Sequence, residues 1–147
     1  MRQLAWWALV VLLAAGCRHR HGSRHSTSSG PRVTDTRPID TEESVSQAVQ
    51  VTATFSDDMD ASTISTSSFT LVDGFGAPVA GTVSYNAPTR TATFSPAANL
   101  ADGTFFTATL SSTIRNLNGK RLNGSYSWTF VTAGPPVVPL ILPPKGA

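Results

Sequence analysis

From Val49 onward the chain alternates. Val49-Gln-Val-Thr-Ala-Thr-Phe55 sets Val49, Val51, Ala53 and Phe55 on one side and Gln50, Thr52 and Thr54 on the other. The same period of two returns in Phe69–Leu71, in Pro78–Tyr85 through Val79, Val83 and Tyr85, in Thr91–Phe94, in Phe106–Leu110, and in Tyr126–Phe130 through Tyr126, Trp128 and Phe130. Successive side chains of a strand point to opposite faces, so each run predicts a strand that is packed on one side and wetted on the other, as in antiparallel sheets. Turn chemistry separates the runs at Asp73-Gly74-Phe75-Gly76, Asn86-Ala87-Pro88, Asp102-Gly103 and Asn118-Gly119. About seven strands spaced roughly ten residues apart predict an all-β antiparallel sandwich. The exception is Asp60–Thr66, where Asp60 is placed to cap a single helical turn.

The two ends follow other rules. Leu4–Ala15 is an unbroken apolar run, about 18 Å long as a helix against the roughly 30 Å of a hydrocarbon core. It predicts a signal peptide over residues 1–16 rather than a membrane span. Leu13-Ala14-Ala15-Gly16-Cys17 resembles the bacterial lipobox. That resemblance implies cleavage between Gly16 and Cys17, a lipidated Cys17, and attachment to a membrane. At about 0.8 kcal/mol per buried methylene, two or more acyl chains anchor durably where one does not. The alternative is an ordinary secreted protein with a free thiol at Cys17. Residues 17–31 then form a basic, Ser/Gly-rich tether, whose Arg18, Arg20 and Arg24 are each attracted to anionic headgroups by about 1 kcal/mol. In a diderm cell, Arg18 rather than Asp after the anchor implies the outer membrane, by analogy with lipoprotein sorting. Residues 134–147 hold five of the ten prolines and predict an extended tail. Its apolar residues lie along the domain or on a partner.

Composition sharpens this division. Thr and Ser number 19 and 17, and Lys only 2, a balance that suits short strands. Although the whole chain carries a net +2, residues 33–133 hold nine acids against five bases, a net of −4. The domain therefore lacks the basic surface that nucleic acid requires, and no nucleic-acid partner is expected. A single cysteine excludes an internal disulfide framework.

Several motifs recur in an order that points to a family: Val51-Thr-Ala-Thr-Phe-Ser-Asp-Asp-Met-Asp-Ala-Ser-Thr-Ile64, Ser68-Phe-Thr-Leu71, Gly81-Thr-Val-Ser-Tyr85, Ala92–Leu100 and Ser127-Trp-Thr-Phe130. Over residues 32–133 the chain resembles the bacterial Ig-like domain of the S-layer SbsA kind. The resemblance implies an Ig-like sandwich serving as a scaffold in cell-surface proteins, with another envelope protein or a surface polymer as partner. Two departures stand out. Position 106 is Phe where Ig-like domains often carry a corner Tyr, which removes that hydroxyl. Asn116-Leu-Asn-Gly-Lys120 replaces the family's usual Asp-x-x-Gly-Asn turn, losing a carboxylate.

Candidate chemistry is sparse. Asp57, Asp58 and Asp60 could begin a calcium site, although the loop lacks the glycine and distal glutamate of an EF-hand. The bland reading is capping and solvation. Between residues 33 and 133 there is no His or Cys, so a hydrolytic triad lacks its base and no enzyme is expected. His19, His21 and His25 all fall in the tether. Trp128, Tyr126 and Phe75 could form a glycan platform, or Trp128 and Tyr126 could be core. Phe75, at a turn tip, is the better candidate for an exposed contact.

Overall fold

A computed structural model describes residues 29–136. The signal peptide, Cys17 with most of the tether, and the tail from Val137 lie outside the described residues. Eight strands form: β1 Val33–Arg37, β2 Glu42–Val45, β3 Val51–Phe55, β4 Phe69–Asp73, β5 Gly81–Asn86, β6 Thr91–Pro96, β7 Phe105–Leu110 and β8 Tyr126–Thr132. They make two four-stranded sheets, ordered β1-β3-β6-β5 and β2-β8-β7-β4. The two-sheet sandwich predicted by alternation, of the Ig-like kind that the resemblance implies, is the observed architecture.

The six alternating runs correspond to β3 through β8. The short strands β1 and β2 are the ones alternation missed. Each lies at a sheet edge and carries charge, at Asp35 and Arg37 or at Glu42 and Glu43, so neither shows a clean apolar side. They also bring an exception to the antiparallel expectation. β1 pairs antiparallel with β3, and the chain then crosses to the other sheet, where β2 runs parallel to β8. Polar bonds hold the crossing: the Thr41 amide donates to the Thr129 carbonyl at 2.7 Å, and the Thr129 amide donates to Asp40 Oδ1 at 2.9 Å.

The domain begins slightly earlier than composition suggests. Pro31 is buried and its carbonyl accepts from the Asn123 amide at 2.9 Å. Gly30 lies so close to the chain that a methyl group there would stand 2.0 Å from the Arg121 carbonyl oxygen. Gly30 and Pro31 are therefore packed onto the sandwich rather than belonging to the tether.

Inward residues of both sheets, including Val51, Phe55, Phe69, Leu71, Phe94, Leu110, Trp128 and Phe130, build one core together with Ile114 from the loop between β7 and β8. Phe69 of one sheet contacts Phe94 of the other at 5.8 Å between ring centroids, and Trp128 at 5.9 Å. Trp128 is 1% exposed, which settles its role as core, and its indole N–H is buried without a partner among the described residues. Tyr126, at the opposite end of β8 from Phe130, stays 39% exposed. Met59 turns inward and is buried.

The corner before β7 shows how the fold manages without a tyrosine. Phe106 is buried and stacks on Phe130 at 5.7 Å. The missing hydroxyl is supplied from the facing strand: Thr132, 2% exposed, donates to the Ala101 carbonyl and accepts from the Thr104 amide at 3.0 Å. Replacing Thr132 with Val leaves the half-buried Thr104 amide and the Ala101 carbonyl without this partner. We expect a loss of about 1–3 kcal/mol in urea unfolding, with the same Ig-like far-UV spectrum; an unchanged midpoint would show that the corner does not depend on this hydroxyl.

Candidate functional site

The acidic loop after β3 is pinned against two other loops. The Asp60 amide donates to the Arg115 carbonyl at 2.8 Å, and the Leu117 amide donates to the Asp58 carbonyl at 3.0 Å. Asn116, 3% exposed, is the hub: its side-chain nitrogen donates to Asp57 Oδ2 at 3.0 Å, while its side-chain oxygen accepts from the Asn118 and Lys120 amides at 3.1 and 2.9 Å. From the third side, Arg90 reaches over the loop. Arg90 sits in the left-handed region at φ 54 in the turn between β5 and β6, and its guanidinium meets Asp58 at 2.7 Å and the Ser56 carbonyl at 3.2 Å. These groups border a shallow depression of about 420 Å³ lined by Ser56, Asp57, Asp58, Arg90, Asn116 and Leu117.

Each of the three carboxylates already has a different partner. Asp57 accepts from the Ser56 hydroxyl at 2.6 Å and from Asn116, and these two bonds hold its carboxyl below the usual 3.8. Asp58 pairs with Arg90, and the Asp58 carboxylate raises the guanidinium's already high pKa. Asp60 caps the 3₁₀ turn Ala61–Thr63, accepting from the Ser62 hydroxyl at 2.6 Å and the Ser62 amide at 3.0 Å, which lower its pKa. The calcium expectation finds no support in this arrangement. Asp57, Asp58 and Asp60 do not converge, and among the described residues no group of three or more His, Cys, Asp or Glu could hold a metal ion. Adjacency in sequence suggested a shared site, but the backbone turn through buried Met59 sends the three side chains to three neighbours.

The glycan platform does not assemble either. Phe75 is 95% exposed at its turn tip, whereas Trp128 is core and Tyr126 lies at the other end of the sandwich. The Phe75 turn itself is rigidly built. Asp73 Oδ1 accepts from the Phe75 and Ala77 amides at 2.9 and 2.8 Å, and Gly76 takes φ 83 without a side chain to strain. A second exposed aromatic beside this turn is Phe105, 64% exposed. Gly74 places its backbone against Phe105, so that a methyl group at Gly74 would stand 3.5 Å from Phe105 Cβ. Sequence reasoning passed over Phe105, although the signal was present: in a strand, adjacent Phe105 and Phe106 must face opposite ways. Nearby, Pro78, Val79, Ala80, Ala98, Leu100 and Phe106 line an apolar groove of about 260 Å³.

Residues 27–132 match the sequence model of a family described as a bacterial Ig-like domain. The chain belongs to that family. Among solved structures, this bacterial Ig-like domain is similar to CopC from Methylosinus trichosporium OB3b, with TM-score 0.61 and 15% identity over 74% of this chain and 98% of that one. It is similar to the N-terminal part of the bacterial S-layer protein SbsC, with TM-score 0.55 and 22% identity over 75% of this chain but only 25% of that one. It is also similar to PcoC, a methionine-rich copper resistance protein from Escherichia coli, with TM-score 0.57 and 14% identity over 69% of this chain and 96% of that one. At these identities the likeness concerns the fold. No curated protein matches the chain.

The Asp57 bonds give the bacterial Ig-like domain a defined acid response. Its folded pKa lies below the ordinary value, so the contribution is complete above about 3.8 and declines as pH falls from there towards the folded pKa. We expect Asp57→Asn to lower the thermal midpoint at neutral pH, with the gap to wild type narrowing below about pH 4. A gap constant from pH 7 to pH 2.5, followed by circular dichroism, would contradict this assignment.

Proposed function

We propose that the chain is a non-enzymatic cell-envelope lipoprotein, fastened to a membrane through Cys17 and displaying one bacterial Ig-like module for structural, adhesive or protein-interaction work. In a diderm cell the membrane is the outer one. The partner is another envelope protein or a surface polymer. The observation that carries the interaction role is the exposed pair Phe75 and Phe105, held on rigid backbone at one end of the sandwich. Large exposed aromatics are enriched where proteins make contacts, and here no second use for them is visible in the packing. Family membership and the likeness to the S-layer protein SbsC support the surface setting.

Two observations weigh against chemistry at the same surface. The polar side chains that sequence offered as ligands are committed to caps, turns and one ion pair. The methionine-rich character named for PcoC is also not carried over. Soft thioether and thiolate ligands suit copper(I), but the sole sulfur among the described residues is Met59, 2% exposed.

The anchor and the contact surface are tested separately. Mass spectrometry of native material should find an N-terminal fragment beginning at acylated Cys17, and Cys17→Ala should accumulate with residues 1–16 uncleaved. A bare thiol at position 17, or normal cleavage of the variant, would remove the lipoprotein reading. For the surface, formaldehyde crosslinking in intact cells should give adducts heavier than a dimer. Phe75→Ser/Phe105→Ser should abolish them without moving the melting temperature; adducts that persist in this variant would place the contact elsewhere.

A further inference from the structure

Every open sheet presents unpaired amides and carbonyls at its edges, a template on which another chain can pair. Three of the four edges here are blunted. β1 is flanked by Pro31 and Pro38, carries the Asp35 and Arg37 charges 3.7 Å apart, and slips register between Val33 and Asp35. β2 has four residues, two of them Glu, and also slips register. β4 is capped by its own chain: Phe69 donates to the Ser65 carbonyl at 2.8 Å, Asp73 donates to the Ala77 carbonyl at 2.9 Å, and Val79 donates to the Leu71 carbonyl at 2.9 Å.

β5 is different. Gly81-Thr-Val-Ser-Tyr-Asn86 has no charge, no proline and six residues in unbroken register with β6. The direction of its free groups can be derived. Ala97 donates to the Ala80 carbonyl at 2.9 Å, so that pair and, at every second step, Thr82↔Ser95 and Ser84↔Thr93 are the hydrogen-bonded pairs of the ladder. Gly81↔Pro96 falls between them, as it must, because Pro96 has no amide to give. The amides and carbonyls of Gly81, Val83 and Tyr85 therefore point away from β6, and none has a partner among the described residues. The groove beside them is uncharged, lined by Thr66, Thr70, Leu71, Pro78 and Val79.

We propose that β5 pairs antiparallel with β5 of a second copy of this chain, about a two-fold axis at Val83. The strand is complementary to itself in that register. Val83 faces Val83, and Gly81 faces Tyr85 on both sides, so all three outward-pointing residues exchange both of their backbone bonds. On the inner side Tyr85 meets a residue without a side chain, which avoids crowding where a methyl at Gly81 would already stand 2.7 Å from the Phe94 ring. On the outer side exposed Thr82 meets Ser84, a hydroxyl pair of the kind that stabilises neighbouring strands. No like charges are brought together, whereas the same operation on β1 or β2 confronts charged side chains with their own copies. The two sheets become one continuous eight-stranded layer.

The register supplies the test. Thr82 and Ser84 face each other across the axis in a non-hydrogen-bonded pair, within disulfide reach. Each residue lies diagonally from its own copy, about 7–8 Å away, which is too far. Full-length chains bearing Thr82→Cys and Ser84→Cys are produced together and separately, and membranes are oxidised and run on non-reducing gels. The unsubstituted chain, in which Cys17 is the single cysteine, sets the background. Co-production should give a reducible dimer several-fold above either variant alone. No dimer from the mixture, or equal yields from the single variants, would overturn the proposal.

Discussion

The structure depends on aromatic contact between two sheets that no covalent bond joins. The single cysteine lies outside the domain, so the layers are held by what they bury. Phe69 is the central link, touching Phe94 across the interface and Trp128 beside it. Burial of a side chain this large contributes about 1.5–3 kcal/mol, and each well-placed ring pair adds about 0.5–1.5 kcal/mol. That scale explains how the fold carries the orphaned indole N–H of Trp128, whose desolvation costs about 1–3 kcal/mol. The ring's burial and its two aromatic neighbours offset an unmade hydrogen bond.

Once the aromatic layer is fixed, the polar residues have little freedom left. Asp40, Asp57, Asp60, Asp73, Asn116 and Thr132 each tie one backbone segment to another or cap a turn. A carboxylate accepting two hydrogen bonds at a turn is poorly placed to gather around a metal or activate a nucleophile. Phe75 and Phe105 project from one end, held by loops whose geometry is set by Asp73, Gly74 and Gly76. The edges are a second surface, and their unequal treatment distinguishes β5 from β1, β2 and β4.

Alternation made the sandwich readable because an amphipathic strand must put its apolar side somewhere, and two such layers covering each other are the simple solution. β3 through β8 follow from that rule, as does the cap at Asp60, whose chemistry is local. β1 and β2 escaped because an edge strand needs no apolar face of its own. The partners within the acidic loop were not legible for a related reason. Proximity along the chain says little about direction, and the partners of Asp57 and Asp58, Asn116 and Arg90, are 59 and 32 positions away.

The sequence by itself determined the class of fold, the positions of its core strands and the acidic character of the domain. Those properties reside in period, composition and short-range turn geometry. Only the tertiary structure decided that the Thr132 hydroxyl bonds across the corner, that Gly74 lies against exposed Phe105, that three neighbouring aspartates take three different partners, and that the outer groups of β5 have no partner among the described residues. Each of these is a relation between segments far apart in the chain. Side-chain patterns specify which face is buried, while the packing of the layers decides what each remaining face meets.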